Sequence, residues 1–279
     1  MRIAVVSGKG GTGKTAISSC LALSSILGTD LFDYDTESPN LGGFLNKRIL
    51  EITPVSVPVP EVEQSKCILC RACLQCRFNA IAIVKSKVLI FKDLCRHCGF
   101  CRIICPVNAI SEVDYEVGRV IKSEGDSSVL FTGELKIGEN HSDWVLTRLN
   151  SIKQHHNIQI VDAGPGTGRD IFYSVIDSDF IVLVTEPVKS AVHDLKLIVR
   201  RLKRLNKPQG VIINKSGPRD DLIVNFCQGE NIKILERIPY SRSFSELLSR
   251  GIPFIQKYPE YYERFRKVLS LIKKEVGSR

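Results

Sequence analysis

The sequence predicts an α/β fold: a mostly parallel sheet covered by helices on both faces, interrupted once by a small cysteine-rich α+β module. Three observations carry this prediction. Short apolar stretches such as Arg2–Val6, Ile158–Val161, Phe180–Thr185 and Gly210–Asn214 alternate with helical patterns, the signature of a parallel sheet buried on both faces. A glycine-rich loop, Gly8 to Thr15, follows the first of these stretches and opens a helix. Eight of the ten cysteines lie between Cys67 and Cys105, inside the alternation.

In chain order, a strand at Arg2–Val6 leads through the glycine loop to a helix from Lys14 to about Leu27, then a strand at about Asp30–Tyr34. Residues 54–60, Pro-Val-Ser-Val-Pro-Val-Pro, read as an extended linker. The cysteine segment follows, with an internal echo: Cys76-Arg-Phe-Asn-Ala-Ile81 and Cys105-Pro-Val-Asn-Ala-Ile110. A glycine-punctuated strand-like stretch runs from about Val120 to Gly138, and a helix is expected over about 142–155. The strand at Ile158–Val161 ends on Asp162-Ala-Gly-Pro-Gly-Thr-Gly168. Strand Phe180–Thr185, helix Ala191–Asn206, strand Gly210–Asn214, helix Arg219–Gln228, strand Lys233–Ile238 and two C-terminal helices complete the pattern.

With 279 residues, 43% hydrophobic and 25% charged, the chain is an ordinary globular one, which excludes disorder or a rod for the whole. The apolar runs fall far short of the ~18 residues of a membrane span. No secretory h-region precedes the glycine loop, so a cytoplasmic protein is expected. A net charge of +9 favours acidic partners without naming one.

Gly8-Lys-Gly-Gly-Thr-Gly-Lys-Thr15 matches the phosphate-binding loop G-x-x-x-x-G-K-[ST] in its required strand–helix context. Gly8, Gly10, Gly11, Thr12 and Gly13 supply backbone N–H groups to phosphate oxygens. Lys14 would reach the β- and γ-phosphates of ATP, and the Thr15 hydroxyl would sit on Mg²⁺.

Cys95-x2-Cys98-x2-Cys101-x3-Cys105-Pro106 is the bacterial ferredoxin run, whose fourth cysteine serves the other cluster in two-cluster proteins. Zinc sites instead use Cys-x2-Cys pairs separated by longer spacers. The first run, Cys67-x2-Cys70-x2-Cys73-x2-Cys76, is one residue shorter between its third and fourth cysteines. The crossover rule assigns one 4Fe-4S cluster to Cys67, Cys70, Cys73 and Cys105, and a second to Cys76, Cys95, Cys98 and Cys101. The deletion leaves two outcomes open: Cys76 closes the second quartet, or that site is three-cysteine ligated and labile. Cys20 and Cys227 read as small buried hydrophobes. Residues 61–112 carry eight Lys and Arg against four acidic residues, a surface suited to an acidic partner.

The form Gly8-Lys9-Gly-Gly-Thr-Gly-Lys14-Thr15 resembles the deviant Walker A loop of the MinD/Mrp/ParA ATPases, P-loop NTPases of the SIMIBI class. Asp33-Tyr-Asp35 with Ser38-Pro-Asn-Leu41 resembles their switch I, and Asp162-Ala-Gly-Pro-Gly-Thr their switch II. Thr185-Glu-Pro-Val and His193-Asp-Leu-Lys also fit. With the cysteine segment, the chain resembles MinD-type ATPases containing an inserted ferredoxin domain. The resemblance implies that Lys9 reaches a partner's ATP across a homodimer, that Asp35 orients the attacking water, that Asp33 and Asp162 sit at Mg²⁺, and that Asn214 reads the adenine. It implies an ATPase domain split into residues 1–55 and 121–279 around an insert at 56–120.

Three functions are expected in this order: an ATPase coupled to electron transfer through the clusters, an ATP-dependent cluster carrier or assembly factor, and a positioning ATPase on DNA or membrane. The first two call for an acidic redox partner or cluster acceptor. The last would use the basic helix 189–207 or the amphipathic C-terminal helix, whose stripe is Tyr262, Phe265, Leu269 and Ile272, although core packing is the commoner use of such stripes. The C-terminal Cys-x-x-Cys of Mrp-type carriers is missing.

Overall fold

The computed structural model describes residues 1–45, 47–125, 128–153 and 155–278. The first strand, β1 (Arg2–Val6), is followed by α1 (Lys14–Leu23) and β2 (Thr29–Asp33). Two long strands, β3 (Arg48–Val62) and β6 (Ile110–Gly125), flank a lobe that holds β4 (Ile81–Val84), β5 (Lys87–Ile90) and α2 (Phe100–Ile103). Then come β7 (Ser128–Leu135), α3 (Ser142–Asn150), β8 (Gln159–Asp162), α4 (Asp170–Val175), β9 (Phe180–Thr185) and α5 (Lys189–Leu202). The chain ends with β10 (Gln209–Ser216), α6 (Asp221–Gly229), β11 (Lys233–Pro239), α7 (Arg242–Ser249) and α8 (Glu260–Gly277).

One nine-stranded sheet runs β11-β10-β9-β1-β8-β2-β7-β6-β3. Its first seven strands are parallel, and β6 lies antiparallel to both β7 and β3. Every residue of β1 is buried. Because side chains alternate across a strand, Ile3 and Val5 pack toward α1 and α8, whereas Ala4 and Val6 pack toward α4, α5 and α6. A third cluster joins Phe32, Val57, Val59 and Phe131 to Val145, Leu146 and Leu149 of α3.

The linker expected at 54–60 is instead the middle of β3. This strand is the sheet's edge, so proline costs no ladder hydrogen bond on its open side. Pro54, Pro58 and Pro60 share one parity, and Val55, Val57 and Val59 on the other are buried. The expected helix over 142–155 ends at Asn150, and Gln154 lies outside the described residues. Within the strand-like stretch 120–138, Asp126 and Ser127 also lie outside them.

The first helix stops at Leu23 rather than Leu27, because Gly28 adopts φ +75° in the turn that leads into β2. The apolar stripe of α5 (Val192, Leu195, Val199, Leu202) faces the core, with the basic residues outside. In α8, Phe265, Leu269 and Ile272 are buried and Tyr262 packs against them, so this stripe is core surface. Full burial of a side chain such as Phe265 is worth about 1.5–3 kcal/mol. Among the described residues no helix is long and apolar enough to cross a membrane.

Candidate functional site

The glycine loop links the C-terminal end of β1 to α1, at the edge where parallel strands end and ligands bind. Gly13 has φ +91° and stands at the helix N-cap, where a Cβ would strike the Asn214 amide. A Cβ at Gly8 would strike Asp194. Thr12 and Lys14 are buried, while Gly10 and Gly11 are exposed.

The β2–β8 register places Asp33 beside Asp162 at the same strand ends. Thr15 donates its hydroxyl to Asp162 Oδ2 at 2.7 Å, and Ser18 donates to Oδ1 at 2.8 Å. Asp33 Oδ2 accepts the backbone N–H groups of Asn40 (3.0 Å) and Leu41 (2.9 Å), and Oδ1 accepts that of Asp35 (3.2 Å). Asp33 therefore shapes the turn that carries Asp35. Burial, then the charge of Asp162, pushes the Asp33 carboxyl up. Burial also pushes Asp162 up, against Lys14 and the two hydroxyl donors. Asp35 is half-buried and raised by burial, with Lys14 opposing. Adjacent buried carboxylates forced toward the neutral form, one carrying a threonine hydroxyl, suit a hard divalent cation, whose charge would restore both anions.

Lys9 and Asn214 are both engaged within the chain. Lys9 Nζ meets Glu186 Oε1 at 2.7 Å, and Lys215 Nζ meets Oε2 at 2.8 Å. Burial pushes the Glu186 carboxyl up, but hydrogen bonds from Lys215 and Lys9 outweigh it and hold the group below the usual range. Asn214 donates its amide to the Thr12 carbonyl at 2.8 Å, bracing the loop. Ser18 and Glu186 were not picked out as site residues by the sequence reading. Ser18 lies one helical turn beyond Thr15 on the same face, a spacing that could have flagged it. Glu186 directly follows the apolar strand β9, much as Asp162 ends β8.

In the lobe between β3 and β6, Cys67, Cys70, Cys73 and Cys105 line one cavity of about 20 Å³. Cys76, Cys95, Cys98 and Cys101 line another of about 420 Å³. Among the described residues no group of three or more His, Cys, Asp or Glu is placed to hold a metal ion. A cubane asks for a different arrangement, with each thiolate on its own iron and the four thiols spread around a cavity.

The two halves share backbone conformation. Leu69 and Arg71 are left-handed in the first run, as are His97 and Gly99 at the equivalent places of the second, and Asn79 matches Asn108. Left-handed turns of this kind direct N–H groups inward. The His97 N–H meets Cys95 Sγ at 3.5 Å, and the Ala109 N–H meets Cys105 Sγ at 3.2 Å. Cys73 lies in a 3₁₀ turn, Ala72–Gln75, whereas Cys101 lies in α2. Three steps of a 3₁₀ turn and four of an α-helix both advance about 6 Å, so the missing residue is absorbed in the winding. Burial pushes the Cys101 thiol up to about 11 and raises Cys73 and Cys95. Cys20 and Cys227 are buried in the cores away from both cavities.

Comparison with known proteins adds four findings. The family model "CobQ/CobB/MinD/ParA nucleotide binding domain" matches residues 3–254. An uncharacterized protein of Methanocaldococcus jannaschii is 29% identical over 92% of each chain. The iron-sulfur cluster carrier protein of that organism is 31% identical over 133 residues, 42% of this chain and 46% of that one. The septum site-determining protein MinD of Pyrococcus horikoshii, solved with Mg-ADP, aligns over 99% of this chain and 97% of its own at TM-score 0.60 and 18% identity.

Proposed function

Since the chain belongs to the CobQ/CobB/MinD/ParA nucleotide-binding family, we propose that it is an ATP-hydrolysing dimer switch that carries two 4Fe-4S clusters and couples its nucleotide state to electron transfer. The observation that carries this reading is the partition of eight cysteines into two quartets, each around its own cavity, in a chain that also has a phosphate loop.

In this reading Gly8–Gly13 turn N–H groups onto the phosphates, and Lys14 neutralises the β- and γ-oxygens. Thr15, Asp162 and Asp33 hold Mg²⁺, and Ser18 keeps the Asp162 carboxylate oriented. Asp35 accepts a hydrogen bond from the attacking water. Lys9 leaves Glu186 to place a second cation on the partner protomer's phosphates, which makes hydrolysis depend on dimerisation. Asn214 leaves the Thr12 carbonyl to meet the base. The two cysteine quartets hold the clusters, which when bound supply one-electron transfer. Residues 56–120 act as the cluster domain, and Arg77 and Arg96 beside the larger cavity favour an acidic redox partner.

The size difference between the cavities favours a second reading, an ATP-gated cluster carrier that releases from the Cys76, Cys95, Cys98 and Cys101 site. The partial likeness to a cluster carrier supports it, whereas the missing C-terminal Cys-x-x-Cys does not. Anaerobic reconstitution followed by incubation with an apo-ferredoxin and MgATP separates the two. Electron transfer predicts that iron stays on this chain, and delivery predicts that one cluster is lost to the acceptor.

A further inference from the structure

The core and the cysteine lobe meet at a junction where His141 is buried, His97 is half-buried and Trp144 is partly exposed. His97 stands between Cys95 and Cys98, and its ring lies 5.8 Å from that of His141 and 6.0 Å from that of Trp144, both edge-on. The His97 ring faces the Pro58 backbone, which opposes the lowering of its pKa by burial. His141 stands at the N-cap position of α3 and is 4% exposed; its Nδ1 lies 3.6 Å from Glu139 Oε1, and neither ring nitrogen makes a hydrogen bond. His97 Nδ1 and Asp143 Oδ1 are buried and unpartnered at the same place. The Leu69 position of the first cysteine run is the counterpart of His97, so this polar junction belongs to the second quartet alone.

The other side of the junction leads to the nucleotide. Arg169 donates to Asp143 Oδ2 at 3.0 Å, and Ser142 donates to Asp170 Oδ2 at 2.6 Å. Arg169 and Asp170 directly follow the Asp162–Gly168 loop. The start of α3 is thus tied at one end to the segment after the Asp162 carboxylate, and at the other it packs on the loop of Cys95 and Cys98. His97 Nδ1, His141 Nε2 and Asp143 Oδ1 make no hydrogen bond to their present neighbours, so a shift at this junction breaks few bonds there.

We infer that the start of α3, through His141 and Trp144 on His97, transmits the nucleotide state of the Asp162–Gly168 loop to the second cysteine quartet and not to the first. This rests on the cluster reading above. His97, His141 and Trp144 are positioning residues that move the surroundings of that quartet and ligate nothing.

Trp144 is the chain's single tryptophan, so its emission reads the junction directly. The full chain, without clusters and after anaerobic reconstitution, is titrated with MgADP and with the magnesium complex of a non-hydrolysable ATP analogue. The two nucleotides should give different Trp144 emission in both preparations. The double variant Arg169→Ala/Asp170→Asn should lose that difference while still binding nucleotide. His97→Leu should keep the nucleotide response of Trp144 and lose any nucleotide-dependent change in the visible absorption of the second cluster. An unchanged nucleotide response in the double variant, or no response in a chain that binds both nucleotides, overturns the inference. Iron content and visible cluster absorption are read on the same samples. Their absence overturns the cluster reading, and the cluster-free emission data still decide the link between Asp162 and Trp144.

Discussion

Lys9 and Lys215 share one carboxylate, Glu186, at 2.7 and 2.8 Å. The loop lysine is therefore held within its own chain. In the dimer proposed above, Lys9 would break this pair to reach the partner protomer, so the pair would set part of the threshold for activation.

Glu186→Gln removes one charge from that threshold. A partly exposed pair is worth up to about 1 kcal/mol, roughly fivefold in an equilibrium. Both protomers break such a pair, so we expect ATP-dependent dimerisation at up to roughly 25-fold lower protein concentration. Lys9→Ala should abolish the dependence of ATPase rate on protein concentration. Sedimentation and steady-state ATPase assays check both.

Ser18→Ala leaves Asp162 Oδ1 without its donor in a fully buried place. Loss of a hydrogen bond to a buried group costs about 1–3 kcal/mol. In chemical denaturation the variant should be less stable by that amount, and ATP binding should need more Mg²⁺. Unchanged stability and Mg²⁺ dependence would show that Ser18 does not support the carboxylate.

The carboxyls of Asp33 and Asp162 are raised above their unfolded values. The folded state then binds more protons than the unfolded state between the unfolded carboxylate value, about 4, and the raised folded values. In that window stability falls as pH rises. Thermal unfolding without Mg²⁺ should show this decline, Asp33→Asn should flatten it, and MgADP should remove it by favouring both anions. A nucleotide-free midpoint that rises with pH across the window contradicts the placement of these two groups.

Cys76→Ser should remove or weaken only the cluster served by Cys95, Cys98 and Cys101. Cys105→Ser should remove only the one served by Cys67, Cys70 and Cys73. Iron per chain should fall to about half in each variant, with different EPR signals surviving. The same surviving signal in both would contradict the crossover.

The phosphate loop was legible in the sequence because its residues are contiguous and their order is the mechanism. The parallel strands were legible because burial on both faces leaves unbroken apolar runs. Residues 54–60 misled because proline signals a linker in isolation, and only the edge position of β3 makes it harmless. Ser18 on Asp162 and Lys9 on Glu186 span 144 and 177 positions, distances at which no local pattern speaks. The short Cys73–Cys76 spacing looked like a defect, since the choice between 3₁₀ and α winding is made by the packing of the lobe.

Coupling between nucleotide and clusters is measured by an anaerobic EPR redox titration of the reconstituted protein with MgADP and with MgATP. Two reversible cluster signals are expected, one of which, lost in Cys98→Ser, shifts with nucleotide. Two signals indifferent to nucleotide in a protein that binds and hydrolyses ATP would contradict that coupling.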